Sequence, residues 1–296
     1  MQSLLILLPD FSLILLGVLL RRSLVTDVGF WTGVEKLVYF ILFPALLFRA
    51  LASVTIDMSS TLPLVGSGVL VMFAGFLLGL VGRAWMGLSE MAFASRVQCA
   101  YRFNTYIAIA IAGQVHGAEG VALMGALCGM MVPFANVMAV GMLARHGQGN
   151  ILRELLRNPL VIATLAGLAF NLAGGVLPVT AGAFLGRLGD AAIALGLLAV
   201  GAALHWGSAG GNLVGSGWIA AVKLIVLPCV AWLLGRAVGL EGMAFDLLVL
   251  FAAIPSASSA YILTVRMGGD GAGVAWLISA TTVLSVLTLA FWISLL

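Results

Sequence analysis

Residues 244–265 read AFDLLVLFAAIPSASSAYILTV. A run of this length and apolarity is what a bilayer-spanning helix needs, roughly 20 residues, yet its middle holds Ile254-Pro255-Ser256-Ala257-Ser258-Ser259. Pro255 has no backbone donor and its ring clashes with the preceding turn, which frees carbonyls around Phe251 and Ala252. Hydrocarbon accepts irregular backbone only where it faces protein or a water-filled cavity. The stretch reads as a broken membrane helix turned inward, and the rest of the chain as the bundle around it.

Composition agrees. Of 296 residues, 62% are hydrophobic and 8% charged, with a mean hydropathy of +1.19, too few charges to cover a soluble domain. Apolar runs between charged or Gly/Pro breaks give ten spans, at 4–20, 32–52, 62–85, 93–115, 120–143, 159–178, 188–206, 215–236, 244–265 and 272–295, with edges good to ~2–4 residues. The first run has no basic residue before it, Arg21 and Arg22 after it and no small-residue cleavage site, so it is expected to be a membrane helix rather than a signal peptide. Arg21, Arg22, Lys36, Arg83, Arg96, Arg145, Arg153, Arg157, Lys223 and Arg266 fall toward the side of the first loop, against Arg49, Arg187 and Arg236 toward the other. The positive-inside rule puts the first loop in the cytoplasm and both termini outside it, in a multi-pass protein of the cell inner membrane. Trp31, Trp85, Trp206 and Trp292 stand near span ends, where aromatic belts belong.

The longest polar link, Ala144 to Asn158, lies near the midpoint and separates two halves, 1–150 and 151–296, of five spans each. An odd number of spans per half turns the second half upside down, a recurrent construction of secondary transporters. Without gaps, a shift of 151 positions lays Gly117-Ala118-Glu119-Gly120 on Gly268-Gly269-Asp270-Gly271, Asn104 on Pro255 and Thr105 on Ser256. The fold expected is therefore all-α: ten transmembrane helices as two inverted five-helix repeats, with broken fourth and ninth helices that cross.

The fourth span holds the matching interruption, Arg102-Phe103-Asn104-Thr105-Tyr106. Asn104 competes for its own backbone, and half-helix N-termini at such a crossing offer N–H groups and partial positive charge to an anion. Thr105, Ser256, Ser258 and Ser259 add hydroxyl donors. Arg102 costs at least ~2.5–3.5 kcal/mol at this depth and has three readings: pairing a substrate carboxylate, pairing a protein acid, or snorkelling to the interface. Asn136 either lines the cavity or bonds a neighbouring helix. Pro44 is expected to kink the second span, and Tyr261 follows the polar cluster of the ninth. His205 reads as interfacial. No Asp or Glu lies beside Asn104 or Pro255, which argues against cation exchange as the main activity. The three cysteines, Cys99, Cys128 and Cys229, lack metal or redox spacing. No zinc motif, nucleophile–base pair or basic nucleic-acid patch is visible, so neither an enzyme nor a nucleic-acid partner is expected. No cofactor is expected either, with proton or sodium coupling left open. A membrane sensor is the non-transporting alternative.

Leu15-Leu16-Gly17-Val18-Leu19-Leu20-Arg21-Arg22, Glu35-Lys36-Leu37-Val38 and Phe43-Pro44-Ala45-Leu46-Leu47-Phe48, together with Phe103-Asn104-Thr105, Ile254-Pro255-Ser256-Ala257 and Gly268-Gly269-Asp270, resemble the auxin efflux carrier family over essentially the whole chain. The resemblance implies a scaffold half, a transport half holding the crossed helices, elevator-like motion and room for a homodimer. Bacterial members are commonly called malonate or other organic-acid transporters, and the wider superfamily includes bile acid–sodium symporters. The chain departs from the pattern after Thr105, where Tyr106, Ala108 and Ala110 replace a glycine and a proline, so the fourth helix is expected to be less broken than the ninth. The function expected is a secondary carrier moving small organic anions across the membrane by alternating access, with sodium-coupled symport of the bile-acid type as the alternative.

Overall fold

The computed structural model describes residues 2–53, 58–143, 159–204 and 213–296. The link at 144–158, with Arg145, Arg153 and Arg157, lies outside the described residues, as do His205 and Trp206. The described chain is helical almost throughout, in the order α1 (Gln2–Ser23), α2 (Val28–Ser53), α3 (Met58–Val81) and α4 (Glu90–Val97). Thr105–Leu143 is two helices, α5 (105–116) and α6 (118–143), meeting at Gly117 with φ 60° and ψ −147°, a conformation that a side chain would forbid. Then follow α7 (Pro159–Leu172), α8 (Val179–Ala203), α9 (Leu213–Ala237), α10 (Gly242–Ala253), α11 (Ser258–Arg266) and α12 (Gly271–Leu295). Among the described residues six helical runs are long and apolar enough to cross a bilayer, and α10 with α11, bent by 46°, makes a seventh. The chain is a multi-pass, all-helical membrane protein.

Several expectations need correction. The fourth helix is no less broken than the ninth: residues 101–104 leave the helix between a short 3-10 turn and α5, as 254–257 do between α10 and α11. The helix expected at 188–206 begins at Val179, so Arg187 lies inside α8 rather than before it. Arg96 and Lys223 are buried among the helices, 2% and 1% exposed. Trp292 is buried, with its indole N–H 3.1 Å from the Leu224 carbonyl, instead of standing in an interfacial belt.

Pro44 acts through a turn of another pitch. Val38–Leu42 and Val222–Val226 are π-helical, each just ahead of a proline, Pro44 and Pro228. Proline cannot donate to the carbonyl four residues back, and the wider turn lets Phe43 and Leu227 bond five back, to Val38 and Val222. The carbonyl that Pro228 leaves open is that of Leu224, the one Trp292 takes.

The helices pack in two groups. In the first, α1 lies on α8 and α2 on α7 and α8. Both crossings are backbone-close: a Cβ on Gly17 or Gly201 would overlap the carbonyls of Leu198 and Ile14, and one on Gly167 would stand 2.9 Å from the Phe48 carbonyl oxygen. Lipid supplies no hydrophobic drive between helices, so close approach at small residues is what holds such pairs. The second group gathers α3, α9, α10 and α12 around the broken segments. The groups meet along apolar surface, for example the rings of Phe43 and Tyr106 with centroids 4.5 Å apart.

Candidate functional site

Two interrupted helices bring their breaks together. The Asn104 N–H donates to the Pro255 carbonyl at 2.9 Å, and the Ser256 hydroxyl donates to the Cys99 carbonyl at 2.6 Å. Cys99 sits in the 3-10 turn that ends α4's run, so each break satisfies a backbone group of the other. Ser256 is fully buried, and its N–H points to Thr281 Oγ1 at 3.4 Å.

The helix starts on the far side of the breaks differ. Asn104 caps α5: its Oδ1 accepts from the Tyr106 and Ile107 N–H groups at 3.0 and 3.3 Å, the usual N-cap arrangement. Thr105 begins that helix, half-buried. At α11 the N-cap position is Ala257, which supplies no side-chain cap. Two of the sequence-predicted serines open this helix, Ser258 half-buried and Ser259 exposed. Arg102, 5% exposed, donates from Nη1 to Ser259 Oγ at 3.0 Å and from Nη2 to Asn136 Oδ1 at 2.7 Å. Arg102, Asn104, Asn136, Pro255, Ser256, Ser258 and Ser259 are thus tied to one crossing. Tyr261 is exposed farther along α11, and Pro44 is half-buried in α2, which belongs to the other group of helices.

Sequence reasoning missed three polar contacts around the crossing. Arg96 Nε bonds Asp270 Oδ2 at 2.7 Å, and Asp270 Oδ1 caps α12 at the Gly273 N–H. A Cβ on Gly273 would overlap Arg96, and one on Gly269 would overlap Ser95; hence the Gly268-Gly269-Asp270 link. At the other end of the broken pair, His116 Nε2 approaches Asp246 Oδ2 at 3.1 Å. The shift of 151 positions could have flagged this relation, because it lays Arg96 next to Asp246. Lys223 Nζ donates to the Ala252 carbonyl at 2.8 Å, and Ala252 is one of the residues whose carbonyl Pro255 was expected to free. Among the described residues no group of three or more His, Cys, Asp or Glu could hold a metal.

Comparison with known proteins adds two matches. A family model described as membrane transport protein matches residues 143–293. A protein of Methanothermobacter thermautotrophicus, named as an uncharacterized transporter, is 27% identical over 292 residues, spanning 95% of this chain and 94% of its own length.

Proposed function

The chain belongs to the auxin efflux carrier family of membrane transport proteins, and from that premise we propose that it is a secondary carrier for small organic anions, carboxylates or dicarboxylates, held at the crossed breaks. The observation that carries the reading is the contrast between the two half-helix starts: α5 is capped by Asn104, whereas α11 begins at Ala257 with no side-chain cap. A carboxylate placed there takes the part of the missing cap, receiving the first N–H groups of α11 and the favourable end of its dipole. The Ser258 and Ser259 hydroxyls and the Arg102 guanidinium border the same turn, and Asn136 steers Arg102 toward it.

We read the architecture as ten crossings in two inverted repeats, 1–150 and 151–296, in the cell inner membrane with both termini on the non-cytoplasmic face. Three features support the repeat. Val28 and Val179, 151 positions apart, open α2 and α8. The packing of α1 on α8 is mirrored by that of α2 on α7, each at a glycine. The Arg96–Asp270 pair at one end is mirrored by His116–Asp246 at the other. Alternating access comes from the bundle holding the breaks moving against the one built on α1, α2, α7 and α8. No cofactor takes part, and a second copy of the chain is the natural partner in the membrane.

The test is Ala257→Asp, which installs a carboxylate cap where the substrate carboxylate is placed. Uptake of labelled small carboxylates into proteoliposomes is expected to fall about tenfold or more, the worth of one charge-assisted hydrogen bond, while the melting temperature holds or rises. Arg102→Ala is expected to lower uptake to a similar extent. Normal uptake in both variants removes the site.

A further inference from the structure

Lys223 has no part in the reading above, and its setting is unusual. It lies in the π-helical turn Val222–Val226 of α9 that Pro228 accompanies, an irregular turn of the kind frequent at functional sites. It is 1% exposed, and its Nζ stands 2.8 Å from the Ala252 carbonyl oxygen. That carbonyl lies in the last turn of α10. In a continuous helix it would receive the Ser256 N–H, but that N–H turns to Thr281 Oγ1. The Phe251 carbonyl next to it loses its helical donor because Pro255 has none. A cluster of freed carbonyls at the negative end of a half-helix is the place where ion-coupled carriers of this general build hold their cation. Here a lysine from a neighbouring helix reaches it.

We propose that the Lys223 ammonium is a resident cation at the crossing, holding through the Ala252 carbonyl the position a coupling sodium ion would otherwise take, so that the carrier works without sodium. This rests on the carrier reading and names its coupling. The charge arithmetic favours exclusion. Two unit charges about 4 Å apart repel by roughly 4 kcal/mol even at an effective dielectric of 20, enough to disfavour a sodium ion bound beside the ammonium by about a thousandfold. The acidic residue nearest in sequence to Ala252 is Asp246, six positions earlier and set against His116. A tethered side chain also stays with α9 and α10, which pack on each other, so Lys223 keeps its place beside the carbonyls.

The experiment follows the melting of the purified protein, without substrate, in sodium, lithium, potassium and choline chloride at equal ionic strength. The natural protein is expected to melt at one temperature in all four. Lys223→Ala, which leaves a hole beside the carbonyls, is expected to melt several degrees lower in choline and to regain part of that loss, saturably, in sodium or lithium. Lys223→Met fills the hole without charge; it is expected to melt lower than the natural protein and to ignore the choice of cation. A saturable stabilisation of the natural protein by sodium overturns the proposal, as does a Lys223→Ala protein that is folded and indifferent to cation, or a Lys223→Met protein as stable as the natural one. Because no substrate is present, these outcomes are independent of whether the anion site at α11 is right.

Discussion

Arg96 and Arg102 stand six positions apart and serve different ends. Arg96 is bonded to Asp270, whose other oxygen caps α12, so it closes the bundle; Arg102 turns to Ser259 and Asn136 beside the uncapped start of α11. Removing one member of a buried ion pair leaves the other charge uncompensated and costs about 3–5 kcal/mol, whereas replacing both with apolar groups of similar volume is close to neutral. Asp270→Asn, which keeps an oxygen to cap α12, is therefore expected to lower the melting temperature, and Arg96→Met added to it to recover much of the loss; additive losses in the double variant would show that the pair is not a unit. What could be read at this scale depended on distance along the chain. The break at Pro255 was legible because a missing N–H is a local fact. The Arg96–Asp270 contact was not, because its partners lie 174 positions apart, and Arg96 in isolation looks like any cation at a helix end.

At the scale of elements, most spans were legible because twenty apolar residues in a row have few other uses. Boundaries failed where a charge was taken as a boundary. The start of α8 was lost because Gly182, Gly186 and Arg187 read as loop, yet Gly186 lets α8 pass beneath the Arg49 guanidinium, with a Cβ there 3.1 Å from it. The fourth helix was expected to be straighter for want of a glycine or proline after Thr105, but Asn104 breaks it by capping the next helix with its own side chain. The π-helical turns show the same dependence on a partner. The Leu224 carbonyl that Pro228 frees is satisfied by Trp292 of α12. Trp292→Phe should orphan that carbonyl and cost about 1–3 kcal/mol. In a Pro228→Ala background the restored N–H can reach Leu224, and the same Trp292→Phe change should cost measurably less. Equal losses in both backgrounds, followed by thermal unfolding in detergent, would show that the indole contributes only its bulk.

At the scale of the whole molecule, polar contacts of the crossing join members of one bundle: Asn104 with Pro255, Ser256 with Cys99, Arg96 with Asp270, Gln98 with Thr264 and Lys223 with Ala252. The surface this bundle presents to α1, α2, α7 and α8 is of another kind, with Phe43 on Tyr106 and Leu47 closing over Gly125. Apolar contacts can be exchanged for similar ones as two bodies slide, whereas directional hydrogen bonds resist it, so the alternating access proposed above requires the broken helices to move as one piece. A covalent link across the Phe43–Tyr106 contact should then halt the carrier. With Cys99, Cys128 and Cys229 replaced by alanine, cysteines at 43 and 106 joined by a short bifunctional reagent are expected to abolish uptake in proteoliposomes, and cleavage of the link to restore it. Cysteines at 51 and 171, where Asn171 bonds the Leu51 carbonyl at 2.9 Å within the other bundle, are expected to leave uptake intact when joined. Undiminished uptake with 43 and 106 fully linked would mean that the substrate crosses without relative motion of the bundles, and the alternating-access scheme would have to be rebuilt within the second bundle alone.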